Sequence, residues 1–139
     1  MIRKGYKFRI YPNKEQQVFL AKHFGATRYI YNWGLDYKIK YYETTKKSIN
    51  WAVLNNLLPS LKKDLPWLSE IGSQTLQMEI RNLDTAFKNF FRAKKGFPKF
   101  KNKHNNHQSF QIPDNSGKNY SIKDGKLYIP KLKSGIKIV

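Results

Sequence analysis

Residues 4–11 alternate, with Tyr6, Phe8 and Ile10 on one side and Lys7, Arg9 and Tyr11 on the other. This is the period of a half-buried strand, and Pro12 ends it. Asn13 followed three residues later by Gln16 has the form of a capping box, in which the Asn side chain accepts from a free first-turn amide and the Gln reaches back, so a helix is predicted from near Lys14. Gly25 interrupts the pattern, and a second helix is predicted over 26–44, carrying Tyr29, Tyr31, Trp33, Tyr37, Tyr41 and Tyr42. Trp33 and Tyr37 are expected in the core. Ser48 or Asn50 can cap a third helix over 51–57, Pro59 suits the first turn of a short fourth, and Leu65-Pro66-Trp67-Leu68 reads as a bend.

The strongest periodicity spans 73–95. Leu76, Ile80, Leu83, Phe87 and Phe90 advance by four and three residues in turn, giving one continuous apolar stripe, while Gln77, Arg81, Asp84, Lys88 and Arg92 fall on other faces. Lys94 and Lys95 complement the helix C-terminus, Gly96 is suited to a left-handed cap and Pro98 forbids continuation. The apolar pattern then lapses. Residues 92–107 hold six Lys and Arg, two His and no acid. Alternation returns over 109–112, 120–123 and 126–129, and Asp124-Gly125 joins the last two as a two-residue type I′ hairpin. Residues 136–139 read as a further strand whose edge is expected to be exposed. No internal repeat is present.

Composition sharpens this picture in one direction. Across 139 residues, 27 Lys and Arg face 9 Asp and Glu, a net charge of +18, while 40% hydrophobic and 15% aromatic content is too apolar for a disordered polycation. The chain should fold as one domain and meet a polyanion, either nucleic acid or an anionic surface. No apolar run approaches the roughly 18 residues of a membrane span and the first residues lack the core of a signal peptide, so the expected location is cytoplasmic and no membrane is expected as a partner. The absence of Cys removes disulfides, thiolate zinc sites and Cys nucleophiles.

Catalytic chemistry needs convergent groups, and the nine carboxylates are scattered. Glu15, Glu79 and Asp84 sit at helical positions beside basic residues, where surface ion pairing is their ordinary use. His104 and His107 stand three apart with no third ligand nearby, and no nucleophile–base pair or phosphate-cradling glycine loop is present. Taken alone, the chain is expected to be no enzyme and to hold no cofactor. Nucleic-acid binding fits better, because lysines meet phosphates and aromatic faces meet unpaired bases. Phosphate contacts are expected from Lys94, Lys95, Lys99, Lys101 and Lys103. With 22 Lys against 5 Arg, backbone contact is favoured over bidentate base reading.

Several stretches resemble the N-terminal signature of the TnpB (OrfB) proteins encoded by bacterial insertion sequences. They are 7–16 (KFRIYPNKEQ), 25–33 (GATRYIYNW), 58–62 (LPSLK), 67–71 (WLSEI), 83–91 (LDTAFKNFF), 96–101 (GFPKFK), 108–110 (QSF) and 129–132 (IPKL). The resemblance covers essentially the whole chain, in order. It implies an α+β fold in which a helical recognition bundle is inserted between an N-terminal strand and C-terminal β-hairpins of a split, incomplete wedge-type β-barrel. The implied divisions are 1–12 as first wedge strand, 13–96 as helical insertion, 97–107 as basic connector and 108–139 as remaining wedge strands. It further implies an RNA-guided DNA endonuclease whose nuclease domain, with its divalent metal and its zinc element, lies C-terminal to the region present here, making this chain a truncated, non-catalytic part.

The partners implied are guide RNA and duplex DNA, in the cytoplasm of a bacterium or archaeon and associated with the nucleoid. The target-motif surface of the family falls on Trp51, Asn55, Ser73, Gln74, Gln77, Gln111 and Ile112, where amides suit adenine edges and an apolar side chain suits a thymine methyl, favouring an A/T-rich motif. Arg28 lies in the most recognisable stretch, with RNA contact or packing of the helical insertion as its role. Two further readings compete: a stand-alone helix-turn-helix DNA-binding protein, and a basic protein of RNA assembly. The sequence sets no oligomeric state.

Overall fold

In a computed structural model that describes residues 4–104, 108–113 and 120–139, Asn13 starts the longest helix as its sequence demands. Its side chain accepts from the Gln16 amide at 2.9 Å and the Gln16 side chain accepts from the Asn13 amide at 2.9 Å. The helix, α1, runs Lys14–Thr45 without interruption. The expected break at Gly25 is absent: a mid-helix glycine costs about 1 kcal/mol, and the buried positions around it, His23, Ala26, Thr27 and Ile30, hold the helix straight through. Thr27 Oγ1 also donates back to the His23 carbonyl at 3.0 Å.

α2 spans Trp51–Asp64, with Asn50 as its cap and the Asn50 side chain accepting from the Val53 amide at 3.0 Å. Pro59 lies inside this helix rather than at the start of another. It removes one backbone donor, but Leu54 and Leu58 remain buried and Leu57 and Leu61 pack beside them, so burial outweighs the lost bond. A 3-10 turn, Pro66–Glu70, realises the expected bend, and α3 spans Ser73–Arg92. α3 ends three residues before the sequence suggests. Lys94 takes the left-handed conformation (φ 54°) in place of Gly96, and the Lys95 amide donates to the Asn89 carbonyl at 3.3 Å.

The helical core joins Ala26, Ile30 and Leu35 of α1, Leu54 and Leu58 of α2, Leu68 and Ile71 of the turn region, and Leu76, Ile80 and Leu83 of α3. Each buried Leu or Ile contributes roughly 1.5–3 kcal/mol. The stripe read from sequence is this seam of α3, with Phe90 only half-buried. Of the aromatics on α1, Tyr31 is buried, Trp33 is half-buried and Tyr37 is exposed, contrary to expectation for Tyr37. Lys38 spans the α1–α2 junction: its half-buried ammonium donates to the Ile49 carbonyl and lies 4.7 Å above the Phe87 ring.

Four short strands complete an α+β architecture: β1 (Ile10–Tyr11), β2 (Ser121–Lys123), β3 (Lys126–Tyr128) and β4 (Ile136–Ile138). They form one antiparallel, open sheet in the order β1-β4-β3-β2, so the three helices are inserted between its first strand and the rest. The Asp124-Gly125 hairpin forms with both residues at positive φ (54° and 72°) and Lys123 opposite Lys126. Three expectations fail here. The first strand is two residues long instead of eight, with Tyr6 and Phe8 exposed, and 109–112 forms no strand because its side chains go to α1 and α3. β4 is also no edge. It pairs with both β1 and β3, and Ile136 is wholly buried.

Sheet and helices meet at Gln16, whose amide nitrogen donates to Ser134 Oγ at 2.9 Å and to the Gly135 carbonyl at 3.0 Å. Gly135 is required by close approach, since a Cβ there would sit 2.8 Å from Lys126 Cβ and 2.9 Å from Tyr128 Cζ. His23 forms a second junction. It is buried between Phe19 (centroids 4.1 Å) and Phe110 (5.0 Å), with Nδ1 3.0 Å from the Phe19 carbonyl. Burial lowers its pKa below the ordinary 6.5, the bond to Phe19 opposing this in part. The folded state therefore favours neutral imidazole, and its contribution is complete above pH 6.5 and lost as pH falls below that value, where the unfolded chain takes up the proton first. The midpoint of urea unfolding is expected to drop between pH 7.5 and 5.5, and to drop less in His23→Gln. Equal pH sensitivity in both proteins would contradict this.

Candidate nucleic-acid interface

The N-terminus of α2 meets the exposed side of α3. Trp51, the first residue of α2, carries the Arg81 guanidinium over its ring at 4.3 Å from the centroid. Ser73, Gln77 and Arg81 follow one another at four-residue steps and so form one row along α3. Asn55 lies one turn beyond Trp51, and its Oδ1 is buried without a hydrogen-bond partner among the described residues. Ser73 Oγ accepts from Lys62 Nζ at 3.0 Å, and Ser73 is the first helical residue, the cap position being Gly72. Gln74 is exposed on the same first turn.

The segment 108–113 is held on one side by α3 and on the other by α1. Asn82, beside Arg81, donates Nδ2 to Gln111 Oε1 at 3.0 Å and to Glu79 Oε2 at 3.4 Å. The Phe110 ring packs against His23 and, edge-on at 5.4 Å, against Phe24. Gln111 is thus fixed beside α3, with Ile112 half-buried after it. Trp51 meets α3 at Arg81, one turn after Gln77, and Gln111 meets the same helix at Asn82. Sequence reasoning omitted Arg81 and Asn82. Their signal was positional, four and five residues after Gln77 on α3.

Among the lysines expected to meet phosphate, Lys94, Lys95, Lys99 and Lys103 are exposed, and the Lys103 carbonyl accepts from Gln108 Nε2 at 2.7 Å. Lys101 differs. Asn32 grips its backbone twice, donating Nδ2 to the carbonyl at 2.9 Å and accepting the amide on Oδ1 at 2.8 Å. Its ammonium lies 3.0 Å from Glu79 Oε1 and 4.3 Å above the Tyr31 ring. Glu79 is not on the surface as its helical spacing suggested. It is 3% exposed, on the buried seam three residues after Leu76 and four before Leu83, so Lys101 neutralises an interior carboxylate. Burial, aided by the Glu79 charge, raises the Tyr31 phenol above its usual pKa.

Arg28 is half-buried and lines an open groove beside Tyr29, Asn32 and Trp33. Three other carboxylates are occupied by lysines: Asp36 by Lys40 (2.9 Å), Asp84 by Lys88 (3.1 Å) and Glu70 by Lys22 (3.4 Å). Among the described residues no three His, Asp or Glu side chains come together as a metal cluster. His107 lies outside the described residues. Among those described, no helix is long and apolar enough to cross a membrane.

Residues 1–47 match the sequence model of the helix-turn-helix domain of OrfB proteins of the IS605 type. Over the described part of that stretch the structure holds β1 and α1, a strand and one unbroken helix. Along 94% of its length the chain is 28% identical to a protein of Streptomyces pristinaespiralis provisionally named an RNA-guided DNA endonuclease, and along 93% it is 29% identical to InsQ of Escherichia coli K12, which bears the same provisional name. It spans 32% of the length of each. Over 73% of its length it is 38% identical to the virulence protein VsdF of Salmonella dublin, covering 94% of that protein.

Proposed function

Since the chain belongs to the TnpB/OrfB family of insertion-sequence proteins, we propose that it is the nucleic-acid-binding part of an RNA-guided DNA endonuclease, holding guide RNA and reading a short duplex motif beside the target. The observation that carries this reading is that α3 is flanked both by the N-terminus of α2, through the Trp51–Arg81 stack, and by the 108–113 segment, through the Asn82–Gln111 bond.

In this role Gln77 and Gln111, with Gln74, offer paired donors and acceptors to adenine edges, and Ile112 offers an apolar surface to a thymine methyl. Stacking on Trp51 uses the face of the Arg81 guanidinium and leaves its in-plane donors for a base or a phosphate. Ser73 with Lys62, and Lys94, Lys95, Lys99 and Lys103, follow the phosphate backbone, while Lys101 holds the connector to the helical core. Asn55 brings a buried acceptor that has no partner among the described residues. The four-stranded sheet belongs to a wedge-type β domain made of 1–12 and 108–139, with 13–96 as the recognition insertion and 97–107 as connector. Such a protein acts on the nucleoid, in the cytoplasm. Its chain contributes binding and orientation, and the divalent-metal chemistry of DNA cleavage is assigned to none of its described residues.

Gln77→Ala and Gln111→Ala are expected to reduce the preference between duplexes that differ within an A/T-rich motif, each by about 1–3 kcal/mol, while salt-dependent affinity for unrelated duplex stays nearly unchanged. Binding titrations on a duplex panel at two salt concentrations measure this. An equal loss on every duplex would remove these residues from base reading.

A further inference from the structure

The groove beside Arg28 is lined by four aromatic side chains. It is open, about 830 Å³ in volume, and lies where α1, the Pro66–Glu70 turn and the connector meet. Its floor includes Ala26 and Ile71, both buried, and its walls carry Tyr29, Trp33, Trp67 and Phe100. Tyr29 and Trp67 meet edge-to-face at 5.5 Å. Aromatics at helical spacing ordinarily fill a core, yet Tyr29, Trp67 and Phe100 keep 40%, 43% and 52% of their surface exposed while lining one hollow. The grip of Asn32 on the Lys101 backbone fixes the neighbouring Phe100, so the hollow is built rather than left by a loose loop.

The charges around it select the occupant. Arg28 has no ion pair among the described residues, whereas both acids lining the groove, Asp36 and Glu70, are already held by Lys40 and Lys22. A polyanion therefore meets one uncompensated guanidinium and no unpaired carboxylate. Aromatic walls reach base faces only where bases are unstacked, as in single-stranded loops and ends. We infer that this groove receives an unpaired base of a single-stranded RNA, stacked against Trp67, Tyr29 or Phe100 with its phosphate at Arg28. The choice of RNA rests on the RNA-guided reading above. The groove is distinct from the α2–α3 face, so the same chain would hold RNA and duplex at separate places.

The test uses the full chain with an oligouridylate of about twelve residues, its abasic counterpart with the same phosphates, the matching oligodeoxythymidylate and an RNA duplex. The oligouridylate is expected to bind about tenfold or more tighter than the abasic strand. Trp67→Leu and Phe100→Ala should each shrink that ratio without changing affinity for the abasic strand or the salt slope, and Trp67→Tyr and Phe100→Tyr, which keep a stacking face, should retain most of it. Thermal melting of each variant separates loss of stacking from loss of folding. A ratio of one for the unaltered chain, a ratio surviving both substitutions, an equal gain on the RNA duplex, or a gain confined to the DNA strand would overturn the inference. If the abasic strand still binds with its salt dependence intact, only the groove assignment fails; loss of all nucleic-acid binding would sink the proposed function as well.

Discussion

Lys101→Ala is expected to lower the free energy of unfolding by about 2–3 kcal/mol, far more than the zero to 1 kcal/mol that a lysine with a 44% exposed side chain ordinarily contributes. The excess comes from Glu79, which is 3% exposed and among the described residues would keep only a 3.4 Å bond from Asn82 once the ammonium is gone. A buried carboxylate without a counter-charge is the costly state, and the lysine is its main relief. Adding Glu79→Gln to the same chain should restore most of the loss, because the charge that needed Lys101 has been removed. Urea denaturation of both single variants and the double variant measures the coupling. Additive losses would mean that the pair is an ordinary surface contact. Alanine retains the backbone groups that Asn32 holds, so the connector should stay docked in either variant.

The second large effect is electrostatic. Replacing Lys94, Lys95, Lys99 and Lys103 together by Ala should lower the slope of log affinity against log salt by about 3–4 on duplex DNA, since each phosphate contact contributes about 0.9. Between 50 and 200 mM salt the unaltered chain should then lose about 150-fold more affinity than the variant. Lysines already paired with acids supply the control. Exchanging Lys22, Lys40 and Lys88, which face Glu70, Asp36 and Asp84, should change the slope far less per residue. Equal changes from the two sets would show that charge acts through the whole surface and that the acid-free connector has no special part.

Where the fold was legible in the sequence, a local rule was enough to determine it. The Asn13–Gln16 capping box, the Leu76–Phe87 stripe and the Asp124-Gly125 hairpin each depend on residues a few positions apart, and each forms. Gly25 and Pro59 misled because their local cost is real but smaller than the burial on either side, by Ala26 and Ile30 in one case and Leu54 and Leu58 in the other. The 109–112 alternation misled for a related reason: Phe110 and Gln111 find partners on α1 and α3, and no strand pairs with them.

The candidate interface was legible only through family resemblance. Nothing in the spacing of Trp51 and Gln111 indicates that both meet α3, at Arg81 and Asn82. Arg81 was passed over as one more charge on an outer face, and its position over Trp51 depends on how α2 crosses α3. Glu79 was hidden by the same ambiguity of helical spacing, since a residue three after Leu76 can face inward or outward.

The reading of duplex DNA by the α2–α3 face is tested most directly by selecting bound sequences from a pool of random duplexes, using the full chain and the Gln77→Ala/Gln111→Ala double variant in parallel. The unaltered chain is expected to enrich a short A/T-rich motif, and the variant, still binding with similar affinity to the bulk pool, to enrich none. The same motif from both proteins, or no motif from either, would contradict it.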